Sequence, residues 1–319
     1  RRHPFLRPGR EPRYVICGDD LDAFLSAALY LKHHPAARIG GYYGGFRQLH
    51  LAAAALEEPG RCAWLDLDIA HRGCPSLGHH VLKCRADDEN PGHPGSLNLN
   101  TLRGVSLTQF ACKYPLGTVH FLTWLYGEEI REDGGMERLL WLADSAFING
   151  QSHRFRANMR AWLEETIPHA PLLHGFERLD EAIFEDGMAD MVDTLTRQGF
   201  KPGRAQTRSY HRALGGHTRR RKVEDVVGFR KLSQLITSLT GWPLLYERLL
   251  HGETRRWRGI RRREALGTVL GGRSLGELVF QEKVFSYALP GMGELNYTVF
   301  DPQLPFGEEA RHPDRGAQG

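Results

Sequence analysis

Tyr14-Val15-Ile16-Cys17-Gly18-Asp19-Asp20-Leu21-Asp22-Ala23 is the stretch on which the reading of this chain turns. Four strand-forming residues run into a glycine, and three carboxylates then crowd the point where a small, apolar helix begins. Carboxylates packed this closely repel one another in water, and cations between them remove the repulsion. Taken alone, Asp20 and Asp22 read first as caps on the amides of the following helix. What adds weight to the cation reading is recurrence. Asp66 and Asp68 follow the apolar run Cys62-Ala63-Trp64-Leu65, and His79-His80 stand just before Val81-Leu82.

Working outward, helix composition covers Asp22–His33 and stops at Pro35. Arg38–Tyr43 reads as a second strand, Gln48–Glu58 as an Ala/Leu-rich helix, Arg61–Asp66 as a third strand and His80–Lys83 as a fourth. Alternating short strands and helices predict an α/β fold, a parallel sheet flanked by helices. In such sheets ligands bind beyond the carboxyl ends of the strands. A long loop is expected over 84–104, followed by helices at Leu107–Lys113, Thr118–Tyr126, Met136–Ala146, His153–Glu165 and Leu179–Gln198. Later come a linker at 199–208, a helix at Val226–Leu239 and strands at Leu278–Leu289 and Leu295–Phe300. This gives a basic tail over 1–13, a catalytic domain over 14–198, a smaller α+β domain over 209–300 and a flexible tail over 301–319.

Composition narrows the class. The chain has 319 residues, 41% of them apolar and 25% charged, as in ordinary soluble proteins. No apolar run approaches the roughly 20 residues that span a bilayer, and Arg1-Arg2-His3-Pro4 lacks the apolar core of a secretion signal. Five cysteines without a C-x-x-C pair argue against a disulfide framework or zinc ribbon, which makes a reducing cytoplasm the default. Cys17 and Cys62 read as buried strand positions. The formal charge of +4 hides an asymmetry. Residues 201–273 hold 18 Lys and Arg against 5 Asp and Glu, a net +13, so the remainder carries −9. A basic half beside an acidic half fits a polyanion surface next to a cation site.

Hard divalent cations take carboxylate oxygen, and imidazole moves the preference toward Mn²⁺. A pair of ions needs a bridging carboxylate and several terminal ligands. The chain offers Asp20 and Asp22, Asp66 or Asp68, His79 and His80, and Asp144 within the apolar stretch 139–146, where a carboxylate needs a partner.

In that order these motifs resemble the DHH phosphoesterase superfamily, with its RecJ-like and oligoribonuclease-like branches. Asp20-Leu21-Asp22-Ala23 resembles the first motif, Trp64-Leu65-Asp66 the second, Gly78-His79-His80 the third and Leu142-Ala143-Asp144 the fourth. Leu97-Asn98-Leu99-Asn100 resembles the stretch that follows the third. The resemblance covers about residues 14–165, and Gly78 replaces the aspartate that names the family. It implies two Mn²⁺ ions (or Mg²⁺) held by Asp20, Asp22, Asp66 or Asp68, His79 and Asp144. Asp22, His79 and His80 would take part in catalysis, one histidine on metal and the other on a phosphate oxygen or the leaving group. Asp68 or Asp19 would stand in for the missing aspartate. His80, Asn98, Asn100, His217, Arg219, Arg220, Arg221, Arg255, Arg256 and Arg258 are the candidate substrate contacts. The arginines around Trp257 combine phosphate contact with base stacking.

The expected activity is metal-dependent hydrolysis of phosphodiester bonds in single-stranded nucleic acid or short oligonucleotides. Two alternatives are a catalytically degenerate relative that binds nucleic acid or a partner, which Gly78 favours, and a cyclic-dinucleotide phosphodiesterase. A Rossmann-type module is weaker, because the first turn lacks G-x-G-x-x-G.

Overall fold

In the computed structural model, β1 (Tyr14–Cys17) alternates between two cores: Val15 and Cys17 enter one, Ile16 the other. The structure describes residues 3–9, 12–45, 47–85, 88, 91–131, 134–151, 155–178, 226–301 and 304. The expected helix at 179–198, the linker at 199–208, His217, Arg219, Arg220, Arg221 and the tail beyond 304 lie outside these residues.

Around β1 stand β2 (Arg38–Gly44), β3 (Gln48–Ala52), β4 (Cys62–Leu65), β5 (Ser76–Gly78), β6 (Leu97–Asn98) and β7 (Thr254–Arg258). Their order is β6-β5-β4-β1-β2-β3-β7. The five strands from β6 to β2 are parallel, whereas β3 pairs antiparallel with both β2 and β7. The fold is therefore α/β, with a mostly parallel sheet. The chain leaves β1 through α1 (Leu21–His33) to β2 on one side and later returns to β4 on the other. That places the switch point of the sheet between β1 and β4, where α/β proteins open a crevice for ligands.

Three expectations are corrected here. Gln48–Glu58 is a strand followed by the short α2 (Ala53–Glu57). Gln48-Leu49-His50-Leu51 alternates polar and apolar, and this period of two outweighs the helix-like composition. The fourth strand precedes the histidine pair: β5 ends at Gly78, so His79 and His80 stand at its carboxyl end, and Val81-Leu82 are buried loop. Residues 4–6 are no tail. Phe5 and Leu6 are buried, and the Tyr30 hydroxyl donates to the Phe5 carbonyl.

Helices cover one face of the sheet. Besides α1 these include α3 (Thr118–Leu125), α4 (Gly135–Leu142), α5 (Ala146–Gln151), α6 (Arg156–Ala161), α7 (Ala170–Arg178) and α8 (Val226–Thr240). Phe229 of α8 meets Phe24 of α1 edge to face, with ring centres 5.7 Å apart. The expected single helix over 136–146 is interrupted by a 3-10 turn at Ala143–Ser145, with Asp144 in the left-handed region (φ 48°). The other face is covered by a small antiparallel sheet in the order β8-β10-β9, formed by β8 (Ile260–Ala265), β9 (Val284–Gly291) and β10 (Glu294–Val299). Phe285 and Phe300 pack there with Tyr43 and Trp64. Leu278–Gln281, expected as strand, closes a helix, α10 (Leu275–Gln281), which follows α9 (Leu266–Leu270); Ser274 and Glu277 form a capping box at the start of α10. The C-terminal basic segment is continuous with the main sheet through β7, and α8 lies on α1.

Candidate metal centre

The carboxyl ends of β1, β4, β5 and β6 gather the acids and histidines. Asp66 follows β4 directly, with φ 58°. Asp66 and Asp144 are two of the three described non-glycine residues in the left-handed region, which costs a side-chain-bearing residue about 1–2 kcal/mol. That strain turns both carboxylates toward His79. His79 is 1% exposed. Its Nδ1 lies 3.0 Å from the Thr118 hydroxyl and 3.6 Å from Asp66, and its Nε2 lies 3.0 Å from Asp144. The Thr118 hydroxyl donates to Asp66 at 2.9 Å. Thr118 and Asp144 thus hold the ring between a hydroxyl on Nδ1 and a carboxylate on Nε2.

Ligand atoms of Asp66, His79 and His80 all lie within 4.8 Å of one another. A buried Asp/His/His set of this kind can hold a metal ion. The electrostatics agree. Burial, with the charges of Asp22, Asp20 and Asp144, pushes the Asp66 carboxyl well up. Burial, Asp144 and Asp20 push Asp22 up to about 7. Asp22 and Asp66 are thus both raised by the charge of neighbouring acids, which a bound cation would neutralise.

The two histidines differ. Burial and neighbouring His80 pull His79 below the usual histidine range, so it stays neutral, as a ligand must. Burial opposes charge on His80 as well, but its bond to Asp68 and the nearby Asp144 outweigh that and hold it above the usual range. The His80 ring lies tilted against His79, with centres 3.9 Å apart, and its side chain is 31% exposed.

Asp68 accepts from the His80 amide at 2.8 Å and from the Asn98 side chain at 2.6 Å. It lies against Gly78, so closely that a Cβ there would stand 2.6 Å from its carboxylate. Asp68 thus fills the space that a side chain at 78 would take. Asp19 turns elsewhere and accepts from the Gly45 amide at 3.2 Å. Asp20 caps α1 by accepting from the Ala23 amide at 3.0 Å. Asp22 accepts from the Thr118 and Val119 amides at 2.6 and 2.9 Å, and so caps α3 as well as facing the acids. Asn100 donates to the carbonyls of His79 and Val81 and accepts from the Tyr114 amide, so its amide clamps the histidine segment in place.

The sequence reading missed Thr118 and Lys113. Thr118 opens α3 next to Gly117, and a Gly-Thr helix start was its only signal. Lys113 feels Asp144 and Asp68, while burial draws its pKa down.

Of the basic strands, β8 lies near this centre by way of β9, whereas β7 stands four strands from β4, roughly 19 Å away. β9 runs along the edge of the centre: the Tyr287 amide donates to the Asp68 carbonyl and the Leu289 amide to the His80 carbonyl. Arg261, Arg262 and Arg263 of β8 lie two strands further on, roughly 10 Å away. Arg263 pairs with Glu294 and Arg262 with Glu282. On β7, Arg255, Arg256 and Arg258 are exposed, while Trp257, read above as a stacking platform, packs on the second core. No helix among the described residues is long and apolar enough to cross a membrane. Comparison with family models, with curated proteins and with solved structures finds no match.

Proposed function

We propose that this chain is a divalent-metal-dependent phosphodiesterase that cleaves nucleic acid. The observation that carries this reading is the Asp66–His79–His80 set at the switch point, backed by Asp144, with the arginine-rich β8 two strands beyond β9 at its edge. The likeness of its motif order to DHH phosphoesterases supports it. Asp66 and His79 would hold the metal, with Asp144 and His80 beside them. Imidazole among the donors favours Mn²⁺, with Mg²⁺ as the alternative. Such an ion, when bound, supplies charge neutralisation at phosphorus and an acidified water.

The chain's own groups do the rest. Thr118 fixes the orientation of both Asp66 and His79. His80, bonded to Asp68 and partly exposed, is placed to hold a phosphoryl oxygen or, when protonated, to give its proton to the leaving alkoxide. The arginines of β7 and β8 draw in a multiply charged strand. A second reading, a nucleic-acid-binding relative without turnover, is favoured by Gly78 and by the capping of α3 by Asp22.

The deciding experiment incubates the protein and its His79→Ala variant with Mn²⁺ and labelled single-stranded DNA, oligoribonucleotides or cyclic dinucleotides, with Mn²⁺ binding followed by calorimetry. The proposal expects metal uptake and cleavage by the wild type, with both lost in the variant. No metal uptake and no turnover of any substrate would overturn it. Metal-independent binding of the oligonucleotides without turnover would favour the second reading.

A further inference from the structure

On the helix-covered face of the sheet, on the far side of β1 from the metal centre, lies a cavity of about 240 Å³. One wall is a ladder across three strands: Tyr42 of β2 stands opposite His50 of β3, and His50 opposite Arg256 of β7. The Tyr42 and His50 rings stack at 4.4 Å between centres, and both residues are buried. Two residues along each strand the side chains shrink to Gly40, Ala52 and Thr254, and this loss of bulk creates the space. Phe24 of α1 and Phe229 of α8 line the helix side. No Asp or Glu lies among the lining residues, and the exposed Arg256 places a cation there.

From this geometry we infer that the cavity binds a single nucleotide, with its base among the aromatic side chains and its phosphate on Arg256. The volume falls below the roughly 300–1,000 Å³ of drug-sized sites, so it takes one ring system and no oligonucleotide. Aromatic walls with a guanidinium favour a planar base and a phosphate. The position fits a nucleic-acid substrate. Cys17, the register partner of Tyr42, lines the cavity at the end of β1, and Asp20 and Asp22 follow it. β3 is three strands from β4, so His50 lies roughly 14 Å from the end where Asp66 stands. The pocket would hold a nucleotide a little along the strand from the scissile bond. This link to cleavage rests on the phosphodiesterase reading; mononucleotide binding itself does not.

The test titrates metal-free protein with AMP, GMP, CMP and UMP by calorimetry, with decanoate as an anion of different shape. At least one mononucleotide should saturate the wild type. Ala52→Leu, which fills the cavity, should abolish the binding, and the surface change Arg256→Ala should weaken it about tenfold. Thermal unfolding of both variants checks their fold. His79→Ala should bind the mononucleotide as the wild type does. The inference is overturned if no mononucleotide binds, if neither variant changes the affinity, or if decanoate displaces the nucleotide. Binding of a mononucleotide by a protein that neither takes up Mn²⁺ nor cleaves nucleic acid would sink the phosphodiesterase reading and leave the pocket standing. Cleavage without mononucleotide binding would do the reverse.

Discussion

The Asp68 carboxylate occupies the space above Gly78: a Cβ on Gly78 would stand 2.6 Å from it, well inside contact distance. One carboxylate fits at this corner, and the chain supplies it from the loop after β4 instead of from the end of β5. Its bonds to the His80 amide and the Asn98 side chain show that the position is built.

A reciprocal exchange tests this. Gly78→Asp alone crowds two carboxylates into one space and should lower stability by about 1–3 kcal/mol, the usual cost of overpacking. Asp68→Gly alone leaves the His80 amide and Asn98 without their acceptor and should also destabilise. The double variant Asp68→Gly/Gly78→Asp should recover most of the loss, read as a non-additive midpoint in urea unfolding. Additive losses would show that the two positions do not share one space.

Asp22 serves as a structural clamp whatever else it does. Both of its oxygens hold amides at the start of α3, and Gly117 has no room for a side chain, since a Cβ there would stand 2.7 Å from that carboxylate. Asp22→Ala should cost about 1–3 kcal/mol, from a lost cap and two stranded amides. Asp22→Asn, which keeps one acceptor, should cost less. Comparing the two by chemical denaturation separates the clamp from any metal role, and equal losses would refute the clamp.

How far the sequence could be read depended on the kind of signal. β1 and α1 were legible because a short apolar run, a capping Asp and Pro35 mark every boundary. β3 was hidden because Leu49-His50-Leu51-Ala52 has helix-like composition, and only its alternation tells. β5 was hidden because a three-residue strand buried on both faces shows no periodicity, so its end was read from the apolar Val81-Leu82 instead. Asp66, His79 and Asp144, which the fold brings together, were singled out by chemistry and order. Thr118 was not, since a hydroxyl that meets an acid 52 residues away and a histidine 39 residues away leaves only a Gly-Thr helix start as its local trace. The choice between Asp66 and Asp68 needed the backbone: Asp66 turns to His79 through a positive φ, and Asp68 turns to His80.

Glu128 ties the N-terminal half to the C-terminal segment. It is 7% exposed, pairs with Lys32 of α1 at 2.5 Å and accepts from the Trp242 indole, just past α8, at 3.0 Å. Burial works against its charge, but Lys32 and the Trp242 bond outweigh that and hold its pKa below the usual range. Glu128→Ala leaves a buried indole N–H without its acceptor and should cost about 2–3 kcal/mol. The loss should appear with earlier proteolysis between 226 and 250, where α8 is anchored; protease resistance equal to the wild type would argue against the tie.

Acid should loosen the same region from another direction. His34 is fully buried, stacks on Tyr30 at 4.0 Å and meets the Tyr126 hydroxyl through Nε2 at 3.1 Å. Its Nδ1 has no hydrogen-bond partner, so protonation would bury an unsatisfied N–H. Burial, and then neighbouring His33, lower its pKa to about 4. An unfolded histidine titrates near 6.5, so between about 6.5 and 4 the unfolded state binds the proton and the folded state does not. Stability contributed by neutral His34 is therefore complete above that window and falls as pH drops through it, by about 3 kcal/mol at the lower end. His34→Phe keeps the stack on Tyr30 and removes the titration. Its unfolding midpoint, followed from pH 7 to pH 4, should decline less steeply than that of the wild type, and parallel curves would assign the acid sensitivity to other groups.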